Sequence, residues 1–170
     1  MSHYYSNWLY EKILDIGGSD LVNYRIYMDV CCLHRPFDDQ SQQRIKLETE
    51  AIDQITLRCL SGDFILISST AIESEISQNP NPNQAEQVMQ SLSIAQDNIL
   101  VTDNVVGRAR ELVGLGLKSY DALHIACAEE GNVDIFLTTD DRLMKKAIEY
   151  EDILRVKVAN PVIWLMDVET

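Results

Sequence analysis

The chain has 170 residues, 46% of them hydrophobic and 24% charged, which suits one domain with a buried core. Its formal net charge of −13 disfavours broad, nonspecific adhesion to nucleic acid, which works through many Lys and Arg contacts. It leaves open a nuclease in which a metal and a local basic patch hold a few phosphates, and a protein whose stable partner is basic.

Residues 4–16 carry Trp8, Leu9, Ile13, Leu14 and Ile16 and read as a short amphipathic helix on an N-terminal extension, residues 1–23. Gly17-Gly18-Ser19-Asp20 separates it from a main domain, residues 24–170. From Arg25 the pattern alternates. Residues 25–30 read as a buried strand, 41–60 as an amphipathic helix, 64–68 as a strand and 70–77 as a helix capped by Ser68 or Ser69. Asn79-Pro80-Asn81-Pro82-Asn83 is a loop. Helical patterns follow over 83–95, 104–115 and 120–130, with a weak extended piece at 99–102. A strand at 134–138, a helix at 141–150, a strand at 155–158 and a helical turn at 161–168 complete the chain. Strands alternating with helices imply a mainly parallel sheet covered on both faces.

No apolar run approaches the ~20 residues of a membrane span. The start Met1-Ser2-His3-Tyr4-Tyr5-Ser6-Asn7-Trp8 lacks the basic and apolar regions of a signal peptide, so a cytoplasmic protein is expected. Cys31, Cys32, Cys59 and Cys127 show no CxxC spacing and lie in or beside apolar runs, as buried reduced thiols do.

The chemistry lies in scattered acids. Asp29, Glu75, Asp121 and Asp140 stand where strand-like runs end or helix-like runs begin. In a parallel sheet, strand C-termini and helix N-termini share one edge, where sites form. Carboxylates brought together there repel each other unless a cation sits among them, so the pattern points to a hard divalent metal, one ion or two, held by oxygen ligands. Singly, each of Glu75, Asp121 and Asp140 has a plain reading as a cap or solvated helix position. Asp29 does not, because it interrupts an apolar run from Ile26 to Leu33.

The segments Ile26-Tyr27-Met28-Asp29, Ser69 followed by Glu75, Tyr120-Asp121-Ala122-Leu123-His124-Ile125-Ala126, and Leu137-Thr138-Thr139-Asp140 carry a resemblance. In order and spacing the chain resembles the PIN-domain ribonucleases, especially toxins of bacterial toxin–antitoxin pairs, from about Tyr24 to Pro161. The resemblance implies a three-layer α/β fold with a central mainly parallel sheet. It makes Asp29, Glu75, Asp121 and Asp140 the catalytic, metal-binding quartet for Mg²⁺ or Mn²⁺. It also implies an RNA substrate, a homodimer and a small antitoxin protein that covers the acidic site. Glu73 departs from this register and would lie about 200° around a helix from Glu75.

Around the quartet, Asp141 is an outer or capping candidate, and Ser119 and Thr138 could bond carboxylates or phosphate. His124, one turn after Asp121, reads as a packing or supporting residue. Arg35 is either part of a polar loop or a contact to a substrate phosphate. Arg108, Arg110, Lys145 and Lys146 read as solvated helix faces. Two other classes compete. A catalytically silent interaction module could keep the same fold. A phospho-acceptor receiver domain would want an acidic pair after the first strand and a Lys ending the last; here Val30 and Cys31 follow Asp29, and Lys157 lies within Val156-Lys157-Val158.

Overall fold

The computed structural model describes residues 23–169. The expected extension, residues 1–23, with its amphipathic stretch lies outside the described residues but for Asn23. The elements are β1 (Tyr24–Met28), α1 (Val30–His34), α2 (Gln43–Ser61), β2 (Phe64–Ser69), α3 (Thr70–Ile76), α4 (Pro82–Ser91), β3 (Asp97–Ile99), α5 (Asp103–Gly114), α6 (Ser119–Glu130), β4 (Ile135–Leu137), α7 (Asp141–Glu149), β5 (Lys157–Ala159) and α8 (Pro161–Val168), with short 3₁₀ turns at Arg35–Phe37 and Leu92–Ile94. Among the described residues five strands pair in parallel throughout, in the order β3-β2-β1-β4-β5. This is the α/β layering that the alternation predicts.

β1 shows why both faces must be covered. Side chains alternate along a strand, so Tyr24 and Tyr27 point to opposite sides. Tyr24 meets Phe64 and Trp164 edge-on, which marks the face where α2 and α8 pack on each other. Tyr27 stacks on Phe136 and meets His124, which marks the face of α5 and α6. Ile26, Tyr27, Phe64, Ile67, Ile72, Ile125, Phe136 and Leu137 are all 1% exposed or less. Each buried aliphatic or aromatic side chain of this kind contributes about 1.5–3 kcal/mol.

Local signals agree with the helix starts. Ser69 caps α3 through Ile72 N–H, Asn81 caps α4 with Pro82 first in the helix, Thr102 caps α5, and Asn160 caps α8 before Pro161. Gly62 ends α2 at φ +86°, a left-handed conformation that suits glycine.

Some boundaries differ from the sequence reading. The first strand ends at Met28, and Val30–His34 is a helix, because Asp29 caps it through Val30 N–H. A continuous apolar run hides that change, since its periodicity suits either element. β3 starts at Asp97 and β5 at Lys157, each two residues from the expected start. Arg108 is no solvated position: it is 15% exposed and holds Glu129, itself 4% exposed, at 2.6 Å. Lys146 is half-buried, paired with Glu149 and set over the Tyr150 ring. Lys157 opens β5 opposite Ile135, at the far end of the sheet from Asp29, which is the wrong end for a receiver-type lysine.

Candidate active site

Register brings the acids to one edge. Met28 and Leu137 are partners in neighbouring strands, so the next residues, Asp29 and Thr138, emerge side by side. Asp29 N–H donates to Leu137 O at 2.9 Å, which continues the ladder one step. Asp140 follows on the same side and caps α7 through Arg142 and Leu143 N–H. Glu75 lies in α3, directly after β2, and Asp121 lies in the first turn of α6. All four thus sit at the C-terminal edge of the sheet, where α/β folds bind ligands.

Each acid is held differently. Asp29 is 7% exposed. Its Oδ1 accepts from Val30 N–H, and its Oδ2 accepts from Thr138 Oγ1 at 2.8 Å and from Cys31 Sγ at 3.1 Å. Burial raises its pKa well above the usual carboxylate range, and the Cys31 thiol beside it pushes the same way. Thr138 Oγ1 also accepts from Asp140 N–H, so one hydroxyl joins two of the acids. Asp121 is half-buried, and burial raises its pKa; Lys118 opposes that shift, while Asp140 and Glu75 add to it. Lys118 Nζ stands 4.0 Å from Asp140 Oδ2.

Glu75 is oriented by a buried relay. Its Oε2 lies 2.6 Å from His124 Nε2, His124 Nδ1 lies 2.9 Å from Tyr27 Oη, and Tyr27 Oη lies 2.6 Å from Ser69 Oγ. Ser69 Oγ in turn accepts from Ile72 N–H. Burial raises the Tyr27 pKa well above its ordinary value, so its O–H is a donor. The directions that satisfy every group run from Ser69 to Tyr27 to His124 Nδ1, leaving Nε2–H to donate to the Glu75 carboxylate. His124 is 1% exposed and supports Glu75 from below.

The supporting candidates separate. Thr138 bonds Asp29 directly. Ser119 opens α6 as an exposed residue, while Lys118 takes the cap position. Glu73 accepts from Asn98 Nδ2, turned toward β3 and away from Glu75. Asp141 takes a two-pronged contact from Arg44 at 2.7 and 2.8 Å, which lowers its pKa. Arg35 bonds Asp38, and its Nε lies 2.9 Å from Glu48 Oε2, close enough for an ion pair though not aligned as a hydrogen bond. That places Arg35 in a network with buried Glu48, which also bonds Arg44 and Asn160.

The sequence reading passed over Tyr27, Lys118 and the reactivity of Cys31. Cys31 is mostly buried, and hydrogen bonding, first from Cys32 and then from Thr138 and Thr139, lowers its pKa to about 5 against the opposing effect of burial. Tyr27 carried one signal: a tyrosine inside a buried strand needs a partner for its hydroxyl. Nothing local in the sequence marks Lys118, whose neighbour Asp140 comes from the start of α7; Cys31 has local partners in Cys32 and Asp29, but Thr138 and Thr139 reach it from the segment after β4.

The donor set suits a hard divalent cation: four carboxylates, two of them destabilised as anions by burial. No hydrogen bond among the described residues reaches the Asp121 carboxylate, which leaves its oxygens available as ligands. As placed, no group of three or more His, Cys, Asp or Glu among the described residues is arranged to hold a metal ion. Asp29, Glu75 and Asp140 are each turned to a local donor, and Asp121 is not. The acids therefore share an edge without closing to one coordination sphere.

An all-parallel sheet covered by helices, with acids gathered at its C-terminal edge, defines the α/β class, and the family can be stated. The PIN domain model matches residues 26–149, and the chain belongs to that family. Membership implies a nuclease. VapBC2 from Rickettsia felis, solved bound to a DNA fragment from their promoter, shares the fold at TM-score 0.51 and 13% identity, covering 80% of this chain and 98% of that one. PAE2754 from Pyrobaculum aerophilum aligns at TM-score 0.49 and 12% identity, over 88% of this chain and 98% of that one. No curated protein matches the sequence. Among the described residues no helix is long and apolar enough to cross a membrane.

Proposed function

We propose that the chain is a metal-dependent endoribonuclease, the toxin of a toxin–antitoxin pair, that acts as a homodimer and is restrained by a small antitoxin protein. The observation that carries the reading is the placement of Asp29, Glu75, Asp121 and Asp140 on one sheet edge, two of them with raised pKa values. These four would hold Mg²⁺ or Mn²⁺. Such an ion, when bound, makes an attacking water more nucleophilic and relieves charge on the leaving oxygen.

The rest is work for the chain itself. Thr138 holds Asp29 and the Asp140 backbone in one arrangement. His124 fixes the rotamer of Glu75. Lys118, beside Asp140, offers a cation to an incoming phosphate. The VapBC2 likeness supports a protein partner, and an Arg or Lys of that partner laid against the quartet would replace the metal's charge with its own.

The test is cleavage of a labelled RNA with Mg²⁺ or Mn²⁺, with EDTA, and with Asp29→Asn. Cleavage lost in EDTA and in the variant supports the reading. Cleavage that survives both sinks the metal assignment, and none under any condition leaves the silent module. Co-purification from the native host tests the partner, and sedimentation tests the dimer. A lone monomer that cleaves RNA unrestrained would leave a housekeeping nuclease.

A further inference from the structure

The chain carries 14 Lys and Arg against 27 Asp and Glu, and acids claim many of its cations. Arg25 pairs with Asp97, Arg35 and Arg44 with Glu48, Arg58 with Asp63, and Arg108 with Glu129. Against that background one groove differs. It has a volume of about 340 Å³, lies between the loop before α6 and the outer face of α7, and is lined by Lys118, Arg142, Lys145 and Lys146 together with Asp121 and Glu149. Four cations thus face two acids in a chain of net charge −13.

Two of the four make no direct ion pair, though the charge of Lys145 is felt at Glu149. Lys146 is held by Glu149 at 3.0 Å, and Lys118 stands 4.0 Å from Asp140. Arg142 and Lys145 are exposed, and among the described residues no acid stands within ion-pair distance of either. Spacing on α7 explains their shared side: residues 142, 145, 146 and 149 fall on one face, buried Leu143 borders the groove beside them, and Ala147 packs inward. Gly116 shapes the opposite wall. Its φ of +93° turns the loop back toward α7, and a Cβ there would lie 3.5 Å from Lys146 Nζ.

The groove is continuous with the acid edge, since Asp121 belongs to both. We propose that it binds the phosphate backbone of a single-stranded nucleic acid. Arg142 and Lys145 are the main contacts, and Lys118 leads the strand toward Asp121 and Asp140. The inference deepens the nuclease reading and rests on it for what happens at the acids. Cations left without acid partners hold phosphates by charge-assisted bonds, which gives salt-sensitive binding without reading sequence.

Fluorescence anisotropy of the full chain with a labelled RNA of about 12 nucleotides, in EDTA, measures this binding apart from cleavage. Arg142→Glu with Lys145→Glu is expected to raise Kd at least about tenfold and to lower the slope of log Kd against log salt by about one to two. Arg142→Lys keeps most of the affinity. The control, Arg110→Glu with Lys157→Glu, makes the same change in net charge elsewhere and shifts Kd by no more than about twofold. A DNA strand of the same length that loses affinity in parallel supports the shared phosphate chemistry. Equal losses from control and groove variants overturn the proposal, as does a polyglutamate chain that competes as well as RNA. A wild-type chain that binds RNA through the groove but does not cut it with Mg²⁺ refutes the nuclease reading alone. A chain that cuts RNA, with Kd unmoved by Arg142→Glu and Lys145→Glu, refutes the groove alone.

Discussion

His124 Nε2 lies 2.6 Å from Glu75 Oε2, and its other nitrogen is bonded to Tyr27 inside the core. The imidazole links a carboxylate at the rim to a hydroxyl that is 0% exposed. Breaking the link from below should therefore be felt at the rim. Tyr27→Phe leaves His124 Nδ1 without its donor and is expected to destabilise by about 1–3 kcal/mol. His124→Leu removes the support of Glu75. It should lower nuclease activity about 10–100-fold, the usual effect of losing a group that orients a ligand, while RNA affinity in EDTA stays at wild type. Kinetics beside anisotropy check this, and a joint loss of binding would contradict a purely orienting role.

Asp29 and Asp121 make stability depend on pH and on metal. Burial raises both pKa values in the folded state. For an acid of raised pKa, the stabilising contribution is complete below the unfolded value, about 3.9, and is lost as pH rises through the folded value. Metal-free protein should thus lose this contribution as pH rises above the unfolded value, and Mg²⁺ or Mn²⁺ should raise stability where both acids are ionised. Asp121→Asn should melt at or above the wild-type temperature in EDTA, with no cleavage and a smaller response to metal. Melting curves at several pH values, with and without EDTA, decide it; an unfolded variant would show that Asp121 serves structure.

Cys31 should be the first thiol to react. It is the least buried of the four, with a pKa lowered to about 5, whereas burial raises Cys59 to about 12 and Cys127 to about 11 and also raises Cys32. Limited alkylation at pH 7 followed by peptide mass spectrometry should find the label on Cys31. The adduct, beside Asp29, should block cleavage.

Glu48 is 2% exposed and gathers Arg35, Arg44 and Asn160, which join α2 to the loop before it and to α8. Glu48→Ala removes the buried carboxylate that these three share, but Arg35 keeps Asp38 and Arg44 keeps Asp141; the loss should destabilise by about 1–3 kcal/mol, read from urea unfolding. Activity per folded molecule should not change.

Asp140 and Asp141 should part company. Asp140 caps α7 and shares Thr138 with Asp29, while Asp141 is turned outward to Arg44. Asp140→Asn is expected to abolish cleavage, and Asp141→Asn to leave it within about threefold of wild type, since exposed pairs contribute little. A matched steady-state assay of the two variants separates them.

The alternation of apolar strands with amphipathic helices was enough to specify a covered parallel sheet, because hydrophobic periodicity is written locally. Caps at Ser69, Asn81, Thr102 and Asn160 were local for the same reason. Asp29 stood out because an ionisable group interrupted an apolar run. Other features needed three dimensions. Val30–His34 became a helix because Asp29 turned to cap it, which a run of apolar residues does not reveal. His124 touches Tyr27 across 97 positions of sequence, and Cys31 adds to its local partners Cys32 and Asp29 a contact to Thr138 across 107, so neither environment can be read from local sequence alone. The four acids could be placed on one edge from order alone. Their distances could not, because side-chain rotamers answer to the nearest donor: Val30 and Thr138 for Asp29, His124 for Glu75, and the α7 amides for Asp140. Lys145, read from sequence as a solvated position, gained its meaning only when the turn at Gly116 folded Lys118 back beside α7 and enclosed a groove against Asp121.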